Sequence, residues 1–262
     1  MKTIYLPLSM LLAMTVICSS CKGKASTSGD NDSTANVEGS AVMKSVTEYE
    51  IQYEYDAKGN QVMGDTLEVI EYTYNEKGLV TEERYENNPC VITYTYDDNG
   101  RLTQKVTDTD GESVTTAYHY NDKGQLFEEM EVETARIVTY EYDDNGRVTT
   151  TCETYRSYQD EPCIYTSFVY DANGNVISKN IDNEMIGEKT SNVFTYDKNG
   201  NLLEEHSPSE VPGKESVTKY KTLETDAHGN WIRQQSELNM YEASSDEYYQ
   251  TNTLTVREIK YW

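Results

Sequence analysis

Eight copies of one short phrase, two aromatic positions followed by Asp or Asn and closed by Gly, recur between Tyr53 and Gly229 and dictate the architecture. They read YEYDAKG from Tyr53, YTYNEKG from Tyr72, YTYDDNG from Tyr94, YHYNDKG from Tyr118, YEYDDNG from Tyr140, FVYDANG from Phe168, FTYDKNG from Phe194 and a degenerate LETDAHG from Leu223. An alternating aromatic run that ends in a turn former and a Gly reads as a β-hairpin. In Asp97-Asp98-Asn99-Gly100 the Asp97 side chain can bond forward to the backbone, and Gly100 can take the positive φ that closes a type I turn with a G1 bulge. The eight closing glycines are Gly59, Gly78, Gly100, Gly124, Gly146, Gly174, Gly200 and Gly229.

Register follows from the turn. Placing Asp97 opposite Arg101 sets Tyr96 against Leu102 and Tyr94 against Gln104, with Thr95, Arg101 and Thr103 on the other face. The same count sets Tyr142 against Val148 and Tyr196 against Leu202, aromatic–aliphatic cross-strand pairs that stabilise a sheet by roughly 0.2–1 kcal/mol each. Successive glycines lie 19, 22, 24, 22, 28, 26 and 29 residues apart, so each unit holds two strands and one connection. Self-similarity at this period marks an array in which each unit buries its apolar face on its neighbours. About sixteen antiparallel strands cannot stay flat, so the fold class is all-β, tandem hairpins in a long coiled meander or a partly closed shell.

Units of the form Y-x-Y-D-x-x-G-x-[LV] in tandem resemble the YD repeats of the RHS family over residues 46–262. The resemblance implies a spiralling β-strip, which closes around a toxin domain or cargo in large members. The array here is short and shows no RHS core-associated segment or C-terminal toxin domain. It is more similar to the short YD-repeat lipoproteins of Bacteroidota, including a last unit reading Gly229-Asn230-Trp231 and a returning strand, Thr251 to Trp262.

At the N-terminus Lys2 precedes an apolar stretch from Ile4 to Ile17, too short to span a bilayer and shaped like a secretory signal. Cys18-Ser19-Ser20-Cys21 resembles a lipobox, with residues 1–20 as signal peptide and Cys21 as the lipid attachment site. Residues 21–45, rich in Ser, Gly, Thr and Asn, read as a flexible stalk ahead of a repeat domain at 46–262. The expected location is the outer membrane through a lipid anchor, on either its periplasmic or its surface side.

The chain carries 46 acidic and 22 basic residues, a formal charge of −24. Bulk charge therefore argues against nucleic acid and anionic glycans, while acids in turns and on the solvated face keep an edge-rich β-protein soluble. The Asp-rich turns at Asp97-Asp98 and Asp143-Asp144 are accounted for by hairpin geometry, so neither a metal site nor a cofactor is expected. Cys152 and Cys163 flank a connection and can meet as a disulfide in an oxidising compartment; buried lone thiols, Cys90 among them, are the alternative. His119 lies between core tyrosines and should point outward, His206 begins a Ser/Pro-rich connection, and His228 holds a turn position. The carboxylate pairs Glu82-Glu83, Glu128-Glu129 and Glu204-Glu205 sit on strands, where adjacent residues face opposite sides and cannot form acid–base pairs.

These features favour a non-enzymatic envelope lipoprotein whose repeat surface binds a protein or a glycan. The alternative is a structural or assembly component that self-associates through free sheet edges; a glycan-processing enzyme comes last. Tyrosines outside the phrase are the contact candidates, chiefly Tyr155, Tyr158, Tyr248 and Tyr249, with Tyr85, Tyr165 and Tyr241 beside them.

Overall fold

The computed structural model describes residues 41–155, 162–209 and 211–262. They belong to the unit Ser40–Trp262; the unit Met1–Gly39, with the signal segment and Cys21, lies outside the described residues, as does Tyr158. Sixteen strands follow in order: β1 (Met43–Tyr55), β2 (Gln61–Tyr74), β3 (Val80–Tyr85), β4 (Cys90–Tyr96), β5 (Leu102–Thr109), β6 (Glu112–Tyr120), β7 (Leu126–Glu131) and β8 (Arg136–Tyr142). The second half comprises β9 (Val148–Tyr155), β10 (Ile164–Tyr170), β11 (Val176–Asn183), β12 (Glu188–Tyr196), β13 (Leu202–Pro208), β14 (Glu215–Thr225), β15 (Trp231–Glu242) and β16 (Glu247–Tyr261).

Every strand pairs antiparallel with its sequence neighbours, and β1 pairs with β16, so the meander is a closed barrel. Closure gives each strand a partner on both sides, which removes the open edges of a free strip. β1 starts at Met43, and Trp262 N–H donates to Val42 O at 3.0 Å. The barrel therefore begins ahead of residue 46, and residues 43–45, read as stalk, open its first strand. His206 likewise lies inside β13, which runs on to Pro208 opposite Glu215, so the connection expected there starts later.

Each phrase forms the expected turn. Asp97 N–H donates to Arg101 O and Gly100 N–H donates to Asp97 O, both at 2.9 Å, while Asp97 Oδ1 accepts the N–H groups of Asn99 and Arg101 at 3.0 and 2.8 Å. The eight glycines take φ between 76° and 91°. Because antiparallel strands alternate in direction, the turns after β2, β4, β6, β8, β10, β12 and β14 share one rim. The turn of the first copy, after β1, stands on the opposite rim. Its Tyr53 is 1 % exposed and sits on the outer face, with Asn252 Nδ2 donating to its carbonyl and its phenol donating to Glu237.

A register shift follows each of the seven rim turns. Tyr96 faces Leu102 as expected, but Thr95 faces Gln104 and Tyr94 faces Lys105, which leaves Thr103 as an extra, bulged residue. The predicted pairing of Tyr94 with Gln104 is thus off by one. One inserted residue reverses the in–out alternation beyond it, so Lys105, not Gln104, points into the barrel. Tyr142 with Val148 and Tyr196 with Leu202 pair as predicted, ahead of their bulges.

Inward side chains such as Val46, Ile70, Ile92 and Val138 are buried, each contributing about 1.5–3 kcal/mol. Sixteen strands enclose more width than side chains can fill, since barrels of about eight are already filled. Accordingly no residue of β9 to β12 is fully buried.

Candidate functional site

Two surfaces could carry function, the inner wall and the outer wall. On the inner wall the bulges align one position from every rim hairpin, the fifth residue after its glycine. These residues are Glu83, Lys105, Glu129, Thr151, Lys179, Glu205 and Gln234. Six of them face the first aromatic of their own hairpin: Tyr72 faces Glu83, Tyr94 faces Lys105, Tyr118 faces Glu129, Tyr140 faces Thr151, Phe168 faces Lys179 and Phe194 faces Glu205. The result is an inner girdle in which acids and bases alternate.

Its carboxylates are held by neighbouring side chains. The phenol of Tyr94 donates to Glu83 at 2.7 Å, and the phenol of Tyr140 donates to Glu129. Burial, and then the carboxylate beside each, pushes both phenols well above their usual range. Burial raises Glu129, opposed by Tyr140 and by the charge of Lys105; burial lowers Lys179, opposed by Glu205. Glu205 also accepts from Asn192 Nδ2 at 2.9 Å. Nearby, Arg136 bridges Glu131 and Glu153 at 3.3 and 2.7 Å. At the seam between β1 and β16, Arg257 binds Glu48 at 2.6 Å while stacked 3.4 Å over the Trp231 ring. Such hydrogen bonds and ion pairs hold the wall together.

The carboxylates of the adjacent pairs separate as expected: Glu83, Glu129 and Glu205 are buried inside, while Glu82, Glu128 and Glu204 face out. The expectation that acids belong to turns and the solvated face was incomplete, because Glu48, Glu68, Glu83, Glu129 and Glu205 are all buried.

The outer wall is polar. Glu82, Arg84, Asp108, Glu141, Asp182, Lys189, Lys219 and Lys221 point outward by register. Val169 and Val193 stand outward among them and are exposed. Among the contact candidates, Tyr155 ends β9 pointing inward with its phenol 3.5 Å from Glu153. Tyr248 and Tyr249 are 45 % and 46 % exposed on opposite faces of β16, Tyr248 against the Tyr241 ring and Tyr249 bonded to Ser245. β9 and β16 are seven strands apart in a ring of sixteen, so Tyr155 lies away from Tyr248 and Tyr249. Tyr85 is buried, donating to Glu83, whereas Tyr165 is 39 % exposed on the outer wall. Cys152 and Cys163 are joined as a disulfide with Cα atoms 5.5 Å apart, and Cys90 is a buried free thiol. His119 is exposed, as read from its place between tyrosines.

The sequence profile of the Teneurin YD-shell matches residues 29–158. Among solved structures, a porin-like protein from Bacteroides uniformis ATCC 8492 is similar at 14% identity and a TM-score of 0.56, over 83% of this chain and 98% of that one. TcdB2-TccC3 without its hypervariable C-terminal region aligns at 18% identity and a TM-score of 0.36, over 78% of this chain and 11% of that one. No curated protein matches by sequence. The similarity to the porin-like protein is one of fold.

Proposed function

Because this chain belongs to the YD-repeat family of the RHS type, we propose that it is a non-catalytic β-shell lipoprotein of the bacterial outer membrane that presents its outer wall to a protein or glycan partner. One observation carries the reading: the inner-wall carboxylates Glu83, Glu129 and Glu153 are bonded to neighbouring phenols or to Arg136, while the outer wall keeps polar and aromatic groups open to solvent. Val42, the last residue before β1, sits at the rim that carries seven turns. An assembly role through free sheet edges is weakened by the pairing of β1 with β16.

Metabolic labelling with an alkyne fatty acid tests the anchor: the label should be incorporated by the native chain and lost in Cys21→Ser, with the variant released from membranes. Retention of label in Cys21→Ser would refute the anchor. Presentation of the wall is tested by capture of envelope proteins and glycans on the purified chain, and a folded protein that captures neither would count against a binding role.

A further inference from the structure

The outer wall is recessed between β10 and β13. Cross-strand pairing sets Ser167, Asn180 and Ser191 in a row, with Pro208 of β13 beyond them, and Tyr165, Asp182 and Lys189 in the row beside it. The floor is recessed because Ser and Asn are short, while the Tyr165 ring and Pro208 stand up at its two ends. Together they line a shallow cavity of about 520 Å³, within the range of small-ligand sites. Three strand spacings separate its ends, about 14 Å, the length of a short oligosaccharide.

The floor is organised for hydrogen bonding. Asn180 Oδ1 accepts the hydroxyls of Ser191 at 2.7 Å and Ser178 at 3.2 Å, which orients the amide and leaves its Nδ2 donor without a partner among the described residues. Lys189 and Asp182 neutralise one another in an ion pair, so the trough carries no net charge on a chain of formal charge −24. Beside it, Tyr165 is paired directly with Cys152, and the Cys152–Cys163 disulfide pins the strand ends that hold the ring.

We infer that this trough is a binding site for a neutral oligosaccharide, one pyranose stacking its C–H face on Tyr165 and its hydroxyls meeting the Asn180 amide and the Ser167 and Ser191 hydroxyls. An amphipathic ring matches an aromatic wall with a dense polar floor. The charge of the chain disfavours uronates and sulfated sugars. This inference rests on the outer-wall reading and names its ligand class.

The test is calorimetric titration of the purified protein with maltohexaose, cellohexaose, mannohexaose and xylohexaose, with tetragalacturonate as the anionic comparison. At least one neutral hexasaccharide should bind. Tyr165→Ala should weaken that binding about tenfold or more, Tyr165→Phe should stay within about twofold, and Asn180→Ala should weaken it about fivefold. Melting temperatures close to the native value in all three establish that the wall is intact. Sugar binding undiminished in Tyr165→Ala would overturn the trough while keeping a glycan-binding shell. Capture of an envelope protein with no hexasaccharide bound would overturn it while keeping the outer-wall role, and tighter binding of tetragalacturonate would overturn the neutral-ligand assignment.

Discussion

The phenol of Tyr142 donates a 2.7 Å hydrogen bond to the carbonyl of Leu126, in the hairpin before its own. The ladder between β7 and β8 runs only from Met130 with Ile137 to Glu128 with Thr139, so nearer the turns Leu126 has no partner on β8. Tyr96 does the same for Val80, Tyr120 for Leu102, Tyr170 for Val148 and Tyr196 for Val176. Neighbouring hairpins splay at this rim, and a tyrosine stands in for the missing backbone donor. This explains why the first aromatic of the phrase changes to Phe at Phe168 and Phe194 while the second stays Tyr at Tyr96, Tyr120, Tyr142, Tyr170 and Tyr196.

Tyr142→Phe should therefore destabilise the barrel by about 1–2 kcal/mol, the cost of an unpaired, half-buried carbonyl. Urea denaturation measures it; an unchanged midpoint would remove the surrogate-donor role.

Gly100→Val should cost about 1–3 kcal/mol, because a β-branched residue is forced to hold φ near 78°. The Leu79 side chain lies 3.5 Å from where its Cβ would stand, an ordinary contact, so the cost arises from backbone conformation. Gly100→Asn, which tolerates that φ, should recover most of the loss in the same denaturation series.

Arg257→Met tests the seam. Glu48 would be left buried without its cation, at a cost of about 3–5 kcal/mol. Hydrogen exchange should accelerate first in β1 and β16, and uniform acceleration around the barrel would contradict a local seam effect.

Glu50 predicts a pH dependence. Burial first, then the charges of Glu48 and Glu68, raise its carboxyl above the usual value. A raised folded-state pKa means that the contribution to stability is fully present below the unfolded value near 4.5 and is lost as pH rises through the folded value. Glu50→Gln should thus raise the melting temperature at pH 7 and leave it unchanged at pH 4. The turn aspartates act in the opposite sense. Backbone and side-chain bonds hold Asp97 and Asp143 below the usual carboxylate range, and that contribution is lost as pH falls through their folded values.

Reducing the Cys152–Cys163 disulfide, which spans a sequence separation of 11 residues, should lower stability by about 2–3 kcal/mol by freeing the unfolded chain. Thermal melts with and without a reductant measure the effect, with Cys152→Ser as the control that should no longer respond.

The hairpins were legible in the chain alone. Each turn is a local event, set by an Asp that bonds its own backbone and a Gly that accepts positive φ, and both are visible within seven residues. Tyr96 against Leu102 followed from that turn alone. The bulge at Thr103 lay one residue beyond what the turn specifies, so the side of Lys105 and the whole alternating girdle were not legible. Its signal was present all the same, as charged residues recurring five places after Gly78, Gly100, Gly124, Gly174 and Gly200. The burial of Glu83, Glu129 and Glu205 likewise could not be read from composition, since a carboxylate goes inside only where a phenol, an amide or a cation from another strand meets it. Tertiary structure also decided closure and the recessed row at Ser167, Asn180 and Ser191. Both depend on the summed twist and register of sixteen strands, a property that no single repeat contains.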